Sequence, residues 1–311
     1  MTKDTATKPT GTLYAEVTDR IIAELEAGRL PWVQPWDGSQ LDSGLPRNAG
    51  TGRRYSGINV LILWATVFER GFSGQGWLTY KQAQALGGTV RKGETGTTIC
   101  YADRFTPKAE QDAPITQASD EHRRQVAFLK RFTVFNVDQC EGLPSTLSVG
   151  GGAFLSERET IACAEQLMAA TGAQIGIGGD TAFYMPSADR IQLPPQQSFY
   201  EQVNFYRTAL HELGHWTGHP SRLDRDQSGA PRSASYAREE LVAEMCSAFA
   251  CAELGIVPTV RHADYIGAWL TVLCEDARAI FRAASQASKA ADYLLAFRTD
   301  AAADVMQERA A

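Results

Sequence analysis

One stretch of the sequence restricts the fold and chemistry of this chain more than any other. It reads His211-Glu212-Leu213-Gly214-His215, a His-Glu-x-x-His motif, and the apolar residues spaced before it predict an α-helix. On a helix the two histidines stand roughly 40° apart and one turn from each other, so both imidazoles can reach one Zn²⁺ ion. Glu212 then lies beside the metal, where a general base accepts a proton from metal-bound water. A chance match in an amphipathic helix is the alternative, but three of the five histidines lie within nine residues, which favours a metal site.

A catalytic zinc site usually has three protein ligands, so the motif needs a third. His219 would lie roughly 80° round a continuing helix from His211, and its imidazole would point past the metal. In the next predicted helix, Glu240 and Glu244 lie one turn apart on an apolar face, where an unpaired carboxylate is costly. We therefore predict Glu240 as the third ligand, Glu244 as the carboxylate that holds a ligating histidine, and Glu239 as a surface acid. Alternatively, Glu240 and Glu244 are both surface acids stabilised by the helix dipole.

The net charge of -6 hides an asymmetry along the chain. Residues 1–150 carry 17 Lys and Arg against 16 Asp and Glu, whereas residues 151–311 carry 13 against 20. The window 46–93 holds seven basic residues and one acid, interleaved with aromatic residues. Aromatic faces that stack on bases, next to cations that follow phosphates, are typical of proteins that bind single-stranded nucleic acid. A solvated basic face over an ordinary aromatic core is the alternative. The predicted DNA contacts are Arg47, Arg53, Arg54, Tyr55, Trp77, Lys81, Arg91 and Lys92.

Local patterns indicate an α+β fold with two domains. Segments 97–105 and 126–137 are rich in β-branched and aromatic residues and predict strands, and Thr79 is a predicted cap for a short helix. Pro144 and the glycines at 150–152 indicate a linker. We therefore predict a mixed α/β DNA-binding domain over residues 1–147. A domain with a small sheet and an active-site helix should follow over residues 153–311, and the chain is long enough for each domain to have its own core.

Composition favours a cytoplasmic protein with no membrane segment. The first residues are polar, without the apolar run of a secretory signal. The six cysteines include no Cys-x-x-Cys pair and mostly lie in apolar segments, which predicts core residues rather than disulfides.

Several motifs together resemble the ArdC family of antirestriction proteins. They are Trp32-x-x-Pro-Trp36, Pro46-Arg-Asn followed by Tyr55-x-Gly-Ile-Asn59, the stretch from Trp77 to Glu94 with Leu86-Gly-Gly, and the His-Glu-Leu-Gly-His-Trp-Thr-Gly-His helix. The similarity covers roughly residues 10–300. It implies an N-terminal single-stranded-DNA-binding domain and a C-terminal zincin-like metallopeptidase domain. It also implies a protein carried by mobile elements, such as conjugative plasmids, that protects incoming DNA from host restriction.

These observations lead to two hypotheses. In the first, the chain binds single-stranded DNA and is a gluzincin-like zinc peptidase acting on a protein or peptide, with Mn²⁺ as an alternative metal and Tyr236 as an oxyanion donor. In the second, the chain is a non-enzymatic DNA-binding protein whose metal is structural. A two-metal nuclease is disfavoured because the sequence has no matching cluster of carboxylates.

Overall fold

The computed structural model describes residues 12–33, 44–105, 126–148, 157–256 and 265–310. The helices are α1 (Leu13–Glu26), α2 (Ile58–Arg70), α3 (Tyr80–Ala85), α4 (Ser145–Ser148), α5 (Glu157–Ala170), α6 (Gln202–Trp216), α7 (Ala234–Glu253), α8 (Ile266–Glu275) and α9 (Ala279–Ala310). The strands are β1 (Arg47–Asn48), β2 (Gly76–Leu78), β3 (Thr89–Val90), β4 (Thr97–Phe105), β5 (Val126–Asn136), β6 (Cys140–Glu141), β7 (Gln174–Ile177), β8 (Phe183–Met185) and β9 (Arg190–Leu193). The predicted long strands and the helix capped by Thr79 are confirmed, and the fold is α+β with two domains.

The N-terminal part is built on a four-stranded sheet in the order β1-β2-β5-β4. The β4–β5 hairpin is antiparallel, and β1 joins the other edge parallel to β2. Helix α2, which is apolar along most of its length, packs against this sheet. A small buried cluster lies between them, formed by Leu63, Val67, Phe72, Trp77, Ile99 and Val134. Two β-branched residues of the hairpin, Ile99 and Val134, thus supply part of one side of a local core.

The C-terminal part places a three-stranded sheet beside a pair of long helices. Strand β9 lies in the centre, parallel to β7 and antiparallel to β8, so β8 is at an edge. Helices α6 and α7 pack on each other, and α6 contacts β8 and β9. The edge strand therefore lies next to the helix that carries the histidines.

The largest apolar core is shared by both parts of the chain. It joins α1, α2 and Trp32 to the C-terminal helices, with Trp64 edge-on to Phe249 and Trp32 edge-on to Trp269. Trp32 is fully buried, so it is a core residue. The expectation that each domain has its own core is therefore correct only for the small N-terminal clusters. The domain limits at 147 and 153 remain predictions, because residues 149–156 lie outside the described part of the chain.

Polar contacts reinforce this shared core. The backbone N–H of Gly57 donates to Ser288 Oγ (2.8 Å), and Thr18 Oγ1 donates to the carbonyl of Ala277 (2.7 Å). The Glu253 carboxylate at the end of α7 accepts from the Leu45 N–H (3.1 Å). Among the described helices, none is long and apolar enough to cross a membrane.

Candidate metal centre

The site is built where α6 crosses α7. Gly214 makes the crossing close: a Cβ atom at that position would lie 3.3 Å from both Cα and O of Ala243 and 3.5 Å from its Cβ. A side chain on residue 214 would therefore press on the backbone of the neighbouring helix. The glycine inside the motif lets α6 approach α7 until side chains of both helices reach the same point.

Three predicted ligands meet at this crossing. His211 Nε2 lies 3.5 Å from Glu240 Oε2, and His215 Nε2 lies 3.4 Å from Glu240 Oε1. One ligand atom from each residue falls within 4.8 Å of the others. All three side chains are buried. Two imidazole nitrogens and one carboxylate oxygen are a donor set that Zn²⁺ takes and that other divalent ions such as Mn²⁺ accept, so the residues fit a metal ion.

Each histidine has a second carboxylate on its far side. His215 Nδ1 is hydrogen-bonded to Glu239 Oε1 (3.2 Å), and Glu244 Oε1 lies 3.8 Å from His211 Nδ1. Glu244, predicted to hold a ligating histidine, therefore lies beside His211. Glu239, predicted as a surface acid, is only 8% exposed, so that prediction is wrong. Its charge is tolerated because it has a cationic partner, Arg225.

Arg225 is a buried residue at this site that the sequence analysis did not identify. Its Nε and Nη2 donate to the two oxygens of Glu239 (3.0 and 2.7 Å), in a two-pronged ion pair. Its other bonds go to Thr217 Oγ1 and to the carbonyl of Gly214, both at 2.7 Å. Nothing in the local pattern around residue 225 predicts burial, because an arginine in a polar loop is usually exposed.

The charges at the site shift the pKa values of its residues. Burial favours neutral His215, but hydrogen bonds to Glu239 and Glu240 outweigh burial and raise the His215 pKa to about 10. Burial likewise favours neutral Glu240, but the imidazoles of His211 and His215 hold the pKa of this carboxyl well below its usual range. Burial also opposes the charge of Glu239, and its bonds to His215 and Arg225 lower its pKa. Metal binding at His215 must therefore displace a proton from its imidazole.

The ligands open into a cavity of about 490 Å³. Glu212, Tyr236 and Tyr265 line it, and strand β8 forms another wall. The hydroxyls of Tyr236 and Tyr265 lie 3.2 Å apart. Burial, Tyr265 and the Glu240 carboxylate all raise the pKa of Tyr236, so its hydroxyl keeps its proton. The arrangement places a carboxylate, a neutral hydroxyl and the three possible metal ligands around one space.

His219 does not join this group. The helix ends at Trp216, and His219 Nδ1 is hydrogen-bonded to Ser221 Oγ (2.7 Å) on a partly exposed turn. The metal-ligating group formed by the described residues consists of the two motif histidines and Glu240 alone.

The predicted DNA contacts divide into exposed and buried residues. The exposed ones are Arg47, Arg53, Arg54, Lys81, Arg91 and Lys92. Two of them have acidic partners: Arg54 lies 3.6 Å from Glu253, and Arg91 lies 2.8 Å from Glu94. Arg54 therefore also ties the N-terminal loop to α7.

The predicted aromatic contacts are not at the surface. Trp77 is fully buried beside Phe72, so its assignment as a stacking residue is corrected to a core residue. Tyr55 is half-buried against the same cluster. The sheet and α3 instead expose Tyr80, Tyr101 and Phe132, at 47%, 56% and 45% exposure. Alternation along the β-strand does not indicate the exposure of Phe132, because it lies on the same face as buried Val134, two residues away. Only the fold shows where the covering helix stops.

Comparison with known proteins gives the same two parts. Residues 11–135 match the family described as the N-terminal domain of anti-restriction factor ArdC, and residues 162–286 match a zincin-like metallopeptidase family. Protein y4eC of Sinorhizobium fredii is 40% identical over 309 residues, with 97% of each chain covered. DNA primase TraC of Escherichia coli is 43% identical over 91% of this chain, but the chain spans only 27% of the primase.

Solved structures of the antirestriction ArdC protein from plasmid R388 are similar along almost their whole length. The metal-free form has a TM-score of 0.77 at 39% identity and covers 93% of this chain and 98% of the other. The Mn(II)-bound form has a TM-score of 0.74 at 39% identity and covers 92% and 98%.

Proposed function

Because the chain belongs to the ArdC family of antirestriction proteins, we propose that it protects incoming mobile-element DNA with a single-stranded-DNA-binding part and a metal-dependent peptidase centre. Restriction acts on DNA that has entered a cell, so the proposed location is the cytoplasm. The metal-bound R388 relative supports a metal requirement here, with Zn²⁺ or Mn²⁺ as the ion.

One observation carries the peptidase proposal. The three ligands lie at the wall of an open cavity that also contains Glu212 and an edge strand. Structural zinc sites are closed by four protein ligands, whereas catalytic sites keep a position open to solvent and substrate. The cavity therefore favours a catalytic metal over the structural metal of the alternative hypothesis.

Each residue of the site has a proposed role. His211, His215 and Glu240 hold the ion, which supplies Lewis-acid activation of water and of a carbonyl group. Glu212 accepts the proton that the attacking water loses and passes it to the leaving amine. The protonated hydroxyl of Tyr236 donates a hydrogen bond to the oxygen that develops negative charge.

The sheet edge suggests the form of the substrate. Strand β8 pairs with β9 on one side, and among the described strands none pairs with its other side. Phe183 of β8 lines the cavity and is 42% exposed. An extended peptide could add to this edge through backbone hydrogen bonds, while Phe183 contacts an apolar side chain. We therefore propose an unfolded protein segment as substrate.

A Glu212→Gln variant tests the catalytic role. It should bind Mn²⁺ and Zn²⁺ as the wild type does but fail to cleave a library of unstructured peptides analysed by mass spectrometry. His215→Ala serves as the comparison, because it should lose metal as well as cleavage. Cleavage by Glu212→Gln at the wild-type rate would contradict the proposed base. If no wild-type cleavage occurs and His215→Ala also loses thermal stability, the metal is structural.

For DNA binding, one surface combines exposed cations with an aromatic residue. The loop that carries Arg53 is held against α3 by a hydrogen bond from Asn48 to Gln82 (3.0 Å), and α3 begins with exposed Tyr80 and Lys81. Stacking of a base on Tyr80, with phosphates beside the cations, would bind single-stranded DNA without sequence preference. Tyr80 thus takes the proposed role that Trp77 cannot fill.

Binding of a labelled oligonucleotide at several salt concentrations tests this surface. Tyr80→Ala should weaken binding by about 1–3 kcal/mol, the usual contribution of a stacked base. Arg53→Ala should weaken binding and make the slope of log affinity against log salt concentration shallower by about one. Arg282→Ala removes an exposed cation of α9 and serves as the control. Equal effects of all three variants would contradict a localised surface.

A further inference from the structure

We infer that Arg225 is a positioning residue of the metal centre, acting through Glu239 to fix the orientation of the His215 ring. This role rests on the proposed metal site. Arg225 lies outside the motif helix. It does not contact the atoms of His211, His215 and Glu240 that are proposed to bind the metal. The contacts of Arg225, Glu239 and the loop between α6 and α7 support this role.

Arg225 is buried between the two helices of the site. Its side chain is 4% exposed and bridges them, since it bonds Glu239 of α7 and the carbonyl of Gly214 in α6. A buried carboxylate without a cationic partner is costly, so the two bonds from Arg225 hold Glu239 in place beside His215.

The hydrogen bond between His215 Nδ1 and Glu239 Oε1 (3.2 Å) holds the His215 ring from behind. His215 Nε2 then lies on the side of the ring that faces Glu240, 3.4 Å away. A carboxylate behind a ligating histidine fixes the orientation of the ring and strengthens it as a ligand. Loss of Arg225 should release this constraint.

The loop around Arg225 is built to hold the same pair of residues. Gln227 Nε2 donates to the carbonyl of His215 (2.7 Å) and to Glu239 (3.1 Å), so a second loop residue contacts both. At Gly218, a Cβ atom would come within 2.6 Å of Gln227 Nε2 and 2.9 Å of Arg225 Nη2. The loop thus packs directly against both side chains, and a larger residue at position 218 would displace their ends.

The same loop contains a matched control. Arg222 is also largely buried and forms an ion pair with Asp189, and its guanidinium lies 3.9 Å from the Trp216 ring centre. Its described polar contacts do not include His211, His215, Glu239 or Glu240. Arg222→Gln should therefore lower stability without changing the metal site.

The experiment is calorimetric titration of the metal-free full-length protein with MnCl₂ and with ZnCl₂. Arg225→Gln and Glu239→Gln should each weaken metal binding roughly 10- to 100-fold, as losses of residues behind metal ligands do. The double variant should bind no more weakly than the worse single variant, because both changes break one chain of contacts. Arg225→Lys keeps the charge without the two-pronged contact, and its affinity should lie between those of wild type and Arg225→Gln.

The visible absorption of the Co²⁺-substituted protein provides a second measurement. The band position depends on ligand geometry, so it should shift in Arg225→Lys and stay unchanged in Arg222→Gln. Wild-type affinity and spectrum in a folded Arg225→Lys protein would overturn the inference. Equal losses in Arg222→Gln, or additive losses in the double variant, would also overturn it. If wild-type protein binds neither metal, the proposed function itself fails.

Discussion

Replacement of Gly214 by alanine tests the close helix crossing on which the metal centre depends. In an exposed helix, glycine to alanine would stabilise the protein by about 1 kcal/mol. Here the new methyl group would lie 3.3 Å from Cα and O of Ala243, which are backbone atoms that cannot rotate away. Forcing a methyl group into a packed interface usually costs about 1–3 kcal/mol. The two effects together predict destabilisation of about 1 kcal/mol.

Urea unfolding of the metal-free protein, measured in a chelator, provides the assay. Gly267→Ala is the matched control, because Gly267 lies in α8 and a Cβ atom there would meet no neighbouring atom of the described residues within 4 Å. The free energy of unfolding of Gly267→Ala should increase by up to about 1 kcal/mol. The two glycine variants should therefore shift the unfolding midpoint in opposite directions.

The same substitution should also weaken metal binding. A displacement of α6 by a few tenths of an ångström moves His211 and His215 together, while Glu240 stays on α7. Calorimetric titration with MnCl₂ should show lower affinity for Gly214→Ala and wild-type affinity for Gly267→Ala. If Gly214→Ala is as stable as Gly267→Ala and binds Mn²⁺ equally well, the helices do not cross as closely as described.

Three further substitutions test individual contacts. Thr79→Ala removes the capping box formed with Gln82 and should cost about 1 kcal/mol in thermal unfolding. Trp77→Ala should cost about 3–5 kcal/mol, because the indole is fully buried; a loss below about 1 kcal/mol would contradict its place in the core. Arg222 lowers the pKa of Asp189, so this ion pair stabilises the fold above the usual aspartate pKa of about 4 and is lost as the pH falls through the lower folded-state pKa. The melting temperatures of wild type and Asp189→Asn should therefore differ at neutral pH and converge in acid, and a constant difference would contradict the assignment.

The predictions that were confirmed depend on short-range patterns. The strands of the β4–β5 hairpin follow from their β-branched and aromatic residues, and the start of α3 follows from the Thr79 cap. In both cases the deciding interaction lies within a few residues or within one element. Glu240 was predicted as a ligand because a carboxylate on an apolar helix face needs a partner; the structure places it beside both motif histidines, and its role as a ligand stays a prediction.

The two errors at site residues have a different origin. Glu239 was predicted as a surface acid, but it is buried against a cationic partner that lies in a loop with no recognisable pattern. Trp77 was predicted at the surface because it lies among basic residues, but the strand turns its ring towards Phe72. A basic window describes the composition of a segment, whereas exposure depends on which side of the sheet α2 covers.

The sequence by itself therefore determined the geometry within each element, above all the one-turn separation of His211 and His215, because the helical backbone fixes it. Only the tertiary structure showed that Glu239 and Arg225 also lie at these histidines, beside the predicted Glu240 and Glu244. Those contacts depend on the approach of α6 to α7, which Gly214 permits, and on the loop that carries Arg225 between them. Side chains that are far apart along the chain come together only when the shared core has formed. Local sequence patterns therefore do not predict these contacts.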